Sequence, residues 1–184
     1  MKKNVCVLVA DGSEEMEVVI TVDVLRRAGI GVFLAGVGES RMVTTSRGVR
    51  IAPDGAWDPA EMMRFDALVI PGGVGGSQTM RQDDSVKQAV REFMLAGKVV
   101  ASICAGPTVL QDAGVLAGKT YTSNPGSRAE LTAGIWVDQP VARDGTLLTS
   151  QAPGTAFAFA LALIEALDSR ETAQKVAAGL RVRL

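Results

Sequence analysis

The chain has 184 residues, a formal net charge of −1, two cysteines and no histidine. That length reads as one domain, residues 1–184, with a core that needs no disulfides. Arg26-Arg27 and the Arg181/Arg183 pair are too sparse for a nucleic-acid footprint. Without histidine, neither a Ser-His-Asp nor a Cys-His site can be built, and two cysteines are too few for a thiolate-rich zinc site. Acid–base work falls to Asp, Glu, Lys, Tyr or a thiolate, and no metal or organic cofactor is implied. The apolar stretch after Met1-Lys2-Lys3-Asn4 stops at Asp11-Gly12, too short for a signal peptide or a membrane span. The expected compartment is reducing and cytoplasmic.

In chain order, Lys3 to Ala10 reads as a buried strand. Ser13 or Asp11 is placed to cap a helix from Glu14 to Ala28, stopped by Gly29. Gly31 to Ala35 is a second strand, and Val43-Thr45 with Val49-Ile51 forms a hairpin around Arg47-Gly48. A helical turn spans Pro59 to Arg64. A strand from Asp66 to Ile70 ends in the loop Pro71-Gly72-Gly73-Val74-Gly75-Gly76. An amphipathic helix covers Ser85 to Ala96, and a strand covers Lys98 to Ile103. Further strands are expected near Thr120, Trp136 and Leu147, then helices from Gly154-Thr155 to Leu167 and from Ser169 to Ala178. This alternation predicts an α/β fold with a mostly parallel sheet and helices on both faces.

Cys104 follows the apolar run Val99-Val100-Ala101-Ser102-Ile103 and precedes Ala105-Gly106-Pro107-Thr108. An α/β fold presents a nucleophile in this way, at a tight strand-to-helix turn. The helix start behind it favours a thiolate, so the thiol pKa is expected below the ~8.5 of free cysteine. The competing reading is a buried structural thiol. Cys6, inside Asn4-Val5-Cys6-Val7-Leu8-Val9, reads as inert core. Its strand is expected beside that of Cys104, with the two thiols poorly placed to bridge.

Ligands in open α/β sheets bind beyond the carboxyl ends of the strands. The loops Asp11 to Glu15, Gly72 to Gly76 and Cys104 to Gly106 are therefore expected to converge. The glycine run completes neither a dinucleotide nor a P-loop fingerprint. Gly72 and Gly73 are either backbone donors to an oxyanion or a tight turn that needs positive φ. Glu17 shares a helical stripe with Glu14 and Thr21, which reads as a solvated face. The alternative is a carboxyl under the thiol, protonated by burial and donating to a thiolate.

Asp11-Gly12-Ser13-Glu14-Glu15-Met16-Glu17, Asp23 to Gly29, Ser46-Arg47-Gly48-Val49, Val69 to Gly73, Ile103 to Thr108 and Leu148 to Thr155 together carry a resemblance. Over nearly its whole length the chain resembles the ThiJ/PfpI superfamily, in the branch of the parkinsonism-associated protein DJ-one and its bacterial relatives. The resemblance implies a flavodoxin-like sheet and a homodimer. It implies Cys104 as nucleophile, Glu17 bonded to it, and Gly72, Gly73 and Ala105 as backbone donors. Arg47 would reach the site from the partner subunit, and Arg27 would add positive charge nearby. Glyoxalases of the family carry a histidine where this chain has Asn124, which can orient a carbonyl but cannot shuttle a proton. The superfamily's amidotransferases and proteases need a histidine beside the cysteine, so those activities are not expected.

The expected function is cysteine-dependent chemistry on reactive carbonyls, of glyoxalase III or deglycase type, with a role in stress protection. Its partners would be a small aldehyde or a glycated protein, with no nucleic acid or membrane. The alternatives are a non-enzymatic oxidative-stress sensor or redox-regulated chaperone using Cys104, and a hydratase of a small electrophile such as an isocyanide.

Overall fold

The computed structural model describes residues 2–38 and 41–182; Met1 of the basic N-terminus and Arg183 of the C-terminal pair lie outside them. Strand β1 (Asn4–Val9) leads to helix α1 (Glu15–Arg27) and strand β2 (Gly31–Gly36). A hairpin follows, β3 (Val43–Thr44) and β4 (Arg50–Ile51), then an edge strand β5 (Gly55–Ala56). After a 3₁₀ turn at Met62–Arg64 come β6 (Ala67–Ile70), α2 (Val74–Gln82), α3 (Asp84–Leu95) and β7 (Val99–Ile103). Next are α4 (Pro107–Asp112), β8 (Thr120–Tyr121), a 3₁₀ segment Pro125–Glu130 and β9 (Ile135–Trp136). The chain closes with β10 (Val141–Asp144), β11 (Leu147–Ser150), α5 (Ala156–Leu167) and α6 (Arg170–Leu180).

The main sheet has the order β10-β11-β7-β6-β1-β2-β5. Its pairings are parallel except β10 against β11. Strand alternation divides the core in two. Val5, Val7 and Val9 pack with α1, α5 and α6, while Cys6, Leu8 and Ala10 pack with α3 and α4 on the opposite face. The expected α/β sheet with helices on both faces is therefore the observed one.

Three local expectations are corrected. First, α1 is capped by neither Ser13 nor Asp11. Glu14 is its N-cap, accepting from Glu17 N at 2.8 Å. Ser13 Oγ instead takes Ala10 N at 3.0 Å, and Asp11 Oδ1 takes Thr44 N at 2.7 Å. Second, the glycine run does not stay a loop; Val74–Gln82 is helical although Gly75 and Gly76 are poor helix formers. The glycines answer to packing, since a Cβ at Gly76 would lie 2.7 Å from Ser13 Cα. Third, the strands of Cys6 and Cys104 are not neighbours, because β6 lies between β1 and β7. Strands β5 and β10, short edge elements, carry no pattern that the sequence reading separated from loop.

Candidate active site around Cys104

Three strand ends build the site. Strand β1 runs into the Asp11-Gly12-Ser13 turn and α1, β6 into Gly72-Gly73 and α2, and β7 into Cys104 and α4. Cys104 has φ 65°, and Arg181 is the other described non-glycine residue with positive φ. A left-handed cysteine costs about 1–2 kcal/mol, so the surroundings must hold it. They do so through backbone bonds: Cys104 N donates to Ser150 O at 3.0 Å, and Asn124 N donates to Cys104 O at 2.9 Å. Ser102 Oγ donates to Ile70 O at 3.2 Å, tying the strand before the elbow to the strand before the glycines.

Glu17 is fully buried and Thr21 is 1 % exposed, so their stripe of α1 faces inward and the solvated-face reading is overturned. Helical periodicity placed these residues on one stripe correctly, but it cannot say which side is wet. Gly72 N donates to Glu17 Oε2 at 2.7 Å. A Cβ on Gly72 would lie 2.5 Å from Cys104 Cβ and 2.7 Å from Glu17 Oε2. Only glycine leaves room for the carboxyl and the thiol to meet. Gly73, at φ 86°, lies against Gly12 O and Glu14 N in the same way.

Both acids are shifted upward, with burial the largest cause for each. Burial first, then the Glu17 charge and the Glu17 hydrogen bond, push the Cys104 thiol up to about 12, against the N–H groups of Gly73 and Ala105. Burial pushes Glu17 up to about 7, with Gly72 N–H and Cys104 pulling back and the Glu14 charge adding to the rise. The expected low thiol pKa is thus corrected: burial and the carboxyl below it raise the thiol instead. Protonating Glu17 removes the second and third of those causes and leaves burial opposed by the two backbone donors. The pair therefore holds at most one negative charge at neutral pH, and moving one proton converts thiol–carboxylate into thiolate–carboxylic acid. Glu17 Oε1 is buried with no hydrogen-bond partner, which leaves it available to the nearby thiol.

A cleft of about 1180 Å³ opens above Cys104. Gly73, Ala105, Asn124 and Arg47 line it, while Glu17 lies beneath its floor. Asn124 Oδ1 is committed to Gly126 N at 2.9 Å, capping the 3₁₀ segment, so its amide NH₂ is the end left to meet a ligand. Arg47 of the same chain lines the cleft, and the expected approach of a partner subunit's Arg47 belongs with the homodimer proposed below. Arg27 does not line the cleft at all. It closes the far end of α1, ten residues and about 15 Å of helix from Glu17, and pairs with Asp23 at 2.6 Å.

The sequence reading passed over Glu15. Its Oε2 accepts from Ser46 Oγ at 2.9 Å and Arg47 N at 3.3 Å, fixing the hairpin tip that carries Arg47. Desolvation, the largest influence, raises its pKa. Hydrogen bonds from its own backbone, Ser46, Thr45 and the Arg47 backbone together outweigh that and hold it below the usual carboxylate range. An acidic residue at a helix start is so ordinary that no pattern marks this one.

The Glu17 shift has a consequence for stability. The folded protein keeps this proton up to about pH 7, whereas the ordinary value is 4.5. The folded state therefore binds more protons between those values, and stability drains away as pH rises through that window. A shift of this size corresponds to about 3 kcal/mol. Glu17→Gln, uncharged and isosteric, should be more stable than wild type at pH 8 by up to that amount. The gap should close on acidification to pH 4.5. Urea unfolding across this range measures it, and a pH-independent gap would show that Glu17 does not titrate this way.

A model of the DJ-1/PfpI family matches residues 3–166. Protein dj-1beta of Drosophila melanogaster is 44% identical over 184 residues, covering 99% of this chain and 98% of that one. Its crystal structure superposes with a TM-score of 0.95 over 100% of both chains. The glutathione-independent glyoxalase DJR-1.2 of Caenorhabditis elegans is 34% identical over 172 residues, covering 92% of this chain and 91% of that one. The structure of oxidized Toxoplasma gondii DJ-1 is 35% identical, with a TM-score of 0.93 over 99% of this chain and 100% of that one. The chain belongs to the DJ-1/PfpI family.

Proposed function

We propose that this protein is a cysteine-dependent enzyme for reactive carbonyls, of glyoxalase III or deglycase type, acting in stress protection in a reducing cytoplasm. The observation that carries the reading is the left-handed Cys104 with a buried Glu17 proton store below it and backbone donors beside it. The glyoxalase among its relatives supports the substrate class. The thiolate attacks the aldehyde carbon of methylglyoxal, and the carbonyl oxygen takes the proton held by Glu17. The resulting hemithioacetal loses its C1 hydrogen to the Glu17 carboxylate. That proton returns at C2 while the hydroxyl proton on the C1 oxygen passes to the C2 oxygen, giving a lactoyl thioester. Water then cleaves the thioester to lactate and restores the thiol, so methylglyoxal and water are consumed for each lactate released. Ala105 and Gly73 N–H groups stabilise the developing oxyanion.

Asn124 offers a hydrogen bond and no proton relay, so Glu17 carries every transfer and turnover should be slow. A positioned acid–base group contributes on the order of 10²–10⁴-fold. Asn124→His should recover part of that range in kcat and add a pH dependence near the imidazole pKa. Cys104→Ser and Glu17→Gln should abolish lactate formation followed by NMR. Full turnover in either would refute the assignment. The second reading, a redox sensor, is favoured by the separation of the thiols. Cys6 sits in the core on one face of the sheet, and Cys104 packs against the core on the other. With no resolving thiol at hand, peroxide would carry Cys104 to sulfinate. A mass gain of two oxygens on the Cys104 peptide, combined with no lactate, would put this reading first.

We also propose a homodimer. Met16 and Val19 on α1, Val49 beside the hairpin and Phe157 on α5 are exposed by 51 %, 51 %, 49 % and 37 %. These are large apolar side chains on elements that border one another, and covering them is the natural use of a second copy. Sedimentation should give a dimer for wild type and a monomer for a Met16→Glu/Val19→Glu double variant. A monomeric wild type would contradict the proposal.

A further inference from the structure

Three segments radiate from the Cys104 site. Helix α2 leaves Gly73, α4 begins three residues after Cys104, and the 3₁₀ segment Pro125–Glu130 follows Asn124. One guanidinium joins their far ends. Arg81 on α2 donates Nε to Asp112 Oδ2 at 2.7 Å and Nη2 to Asp112 Oδ1 at 3.4 Å, where Asp112 is the last residue of α4. Its Nη1 donates to Glu130 Oε2 at 2.5 Å, where Glu130 is the last residue of the 3₁₀ segment. All three side chains line the cleft together with Cys104.

The third segment depends on this tie more than the other two. None of Pro125–Glu130 is buried; its apolar anchor is the buried Leu131 that follows it, so the segment between Asn124 and Leu131 spans the cleft without core contacts of its own. At its near end Asn124 N is fixed to Cys104 O. In the middle Arg128 stacks over Trp136 at 4.7 Å. At the far end the Glu130–Arg81 bond is what fastens it to α2. Arg81 is only 30 % exposed in its side chain and serves two carboxylates. Two-pronged charge-assisted geometry of this kind holds better than an isolated surface pair.

We propose that Arg81 is a positioning residue that fixes the Asn124–Glu130 wall of the cleft and thereby limits the size of the electrophile that reaches Cys104. Releasing the clamp lets the wall bow outward between its Asn124 and Leu131 ends, so bulky reagents gain more than small ones. The inference shares with the proposed function only the identity of Cys104 as the reacting atom. Its test therefore uses alkylation and stands whether or not glyoxals turn over.

The test compares N-ethylmaleimide with N-pyrenylmaleimide, which share one chemistry, are both neutral and differ in bulk. Rates are read at the Cys104 peptide by mass spectrometry, and the readout is the bulky-to-small rate ratio. Arg81→Met should raise the ratio about threefold to tenfold over wild type in 20 mM salt. Glu130→Gln and wild type in 1 M NaCl should rise by less, and Arg81→Lys should return toward the wild-type ratio. A ratio that stays within about twofold of wild type in both Arg81→Met and Glu130→Gln overturns the proposal. If Arg81→Met fails to fold, Glu130→Gln and the wild-type salt series decide it, and a flat ratio in both refutes the clamp.

Discussion

Two acids forced together out of water organise this molecule. Glu17 is fully buried, and the groups that meet it are Gly72 N–H and the Cys104 thiol. A buried carboxylate beside a thiolate would be two like charges in a poor dielectric. The pair avoids that state by keeping a proton, and in the proposed chemistry the mobility of that proton makes the thiol usable in a chain without histidine. Much of the surrounding structure serves this approach. Gly72 lacks the Cβ that would separate the groups, Cys104 accepts a left-handed backbone, and β7, β11 and the Asn124 loop hold it there.

The site also shows how one carboxylate-rich turn is divided among tasks. In Glu14-Glu15-Met16-Glu17, each glutamate has a different partner. Glu14 caps α1 through Glu17 N, Glu15 secures the Arg47 hairpin, and Glu17 faces the thiol. The hydrogen bonds explain the opposite shifts of Glu15 and Glu17. Glu15 collects donors enough to outweigh its desolvation, whereas Glu17 has one backbone donor and a group that is itself acidic. Residue type and spacing alone do not distinguish them.

Buried β runs, the helix stop at Gly29 and the Cys104 elbow were legible because each rests on a local rule. The sheet, its long helices and the convergence of the three loops followed from those rules. The inward direction of the Glu17 stripe did not, since an acidic residue between apolar neighbours looks the same on a wet face and a dry one. Helix α2 was hidden by Gly75 and Gly76, whose role is to admit the Ser13 turn rather than to bend the chain. The position of Arg27 and the Arg81 clamp depend on tertiary placement that no sequence interval reports. The chain origin of Arg47 was carried over from family resemblance, and the hairpin tip held by Glu15 brings this chain's own Arg47 to the cleft.

The shared proton is tested most directly by following the Glu17 side-chain carboxyl carbon by NMR in selectively labelled protein as pH is varied. The account predicts a titration midpoint near 7, with the Cys104 Cβ resonance moving in the same step. A Glu17 carboxyl that titrates near the ordinary 4.5, with the Cys104 resonance unmoved, would contradict it.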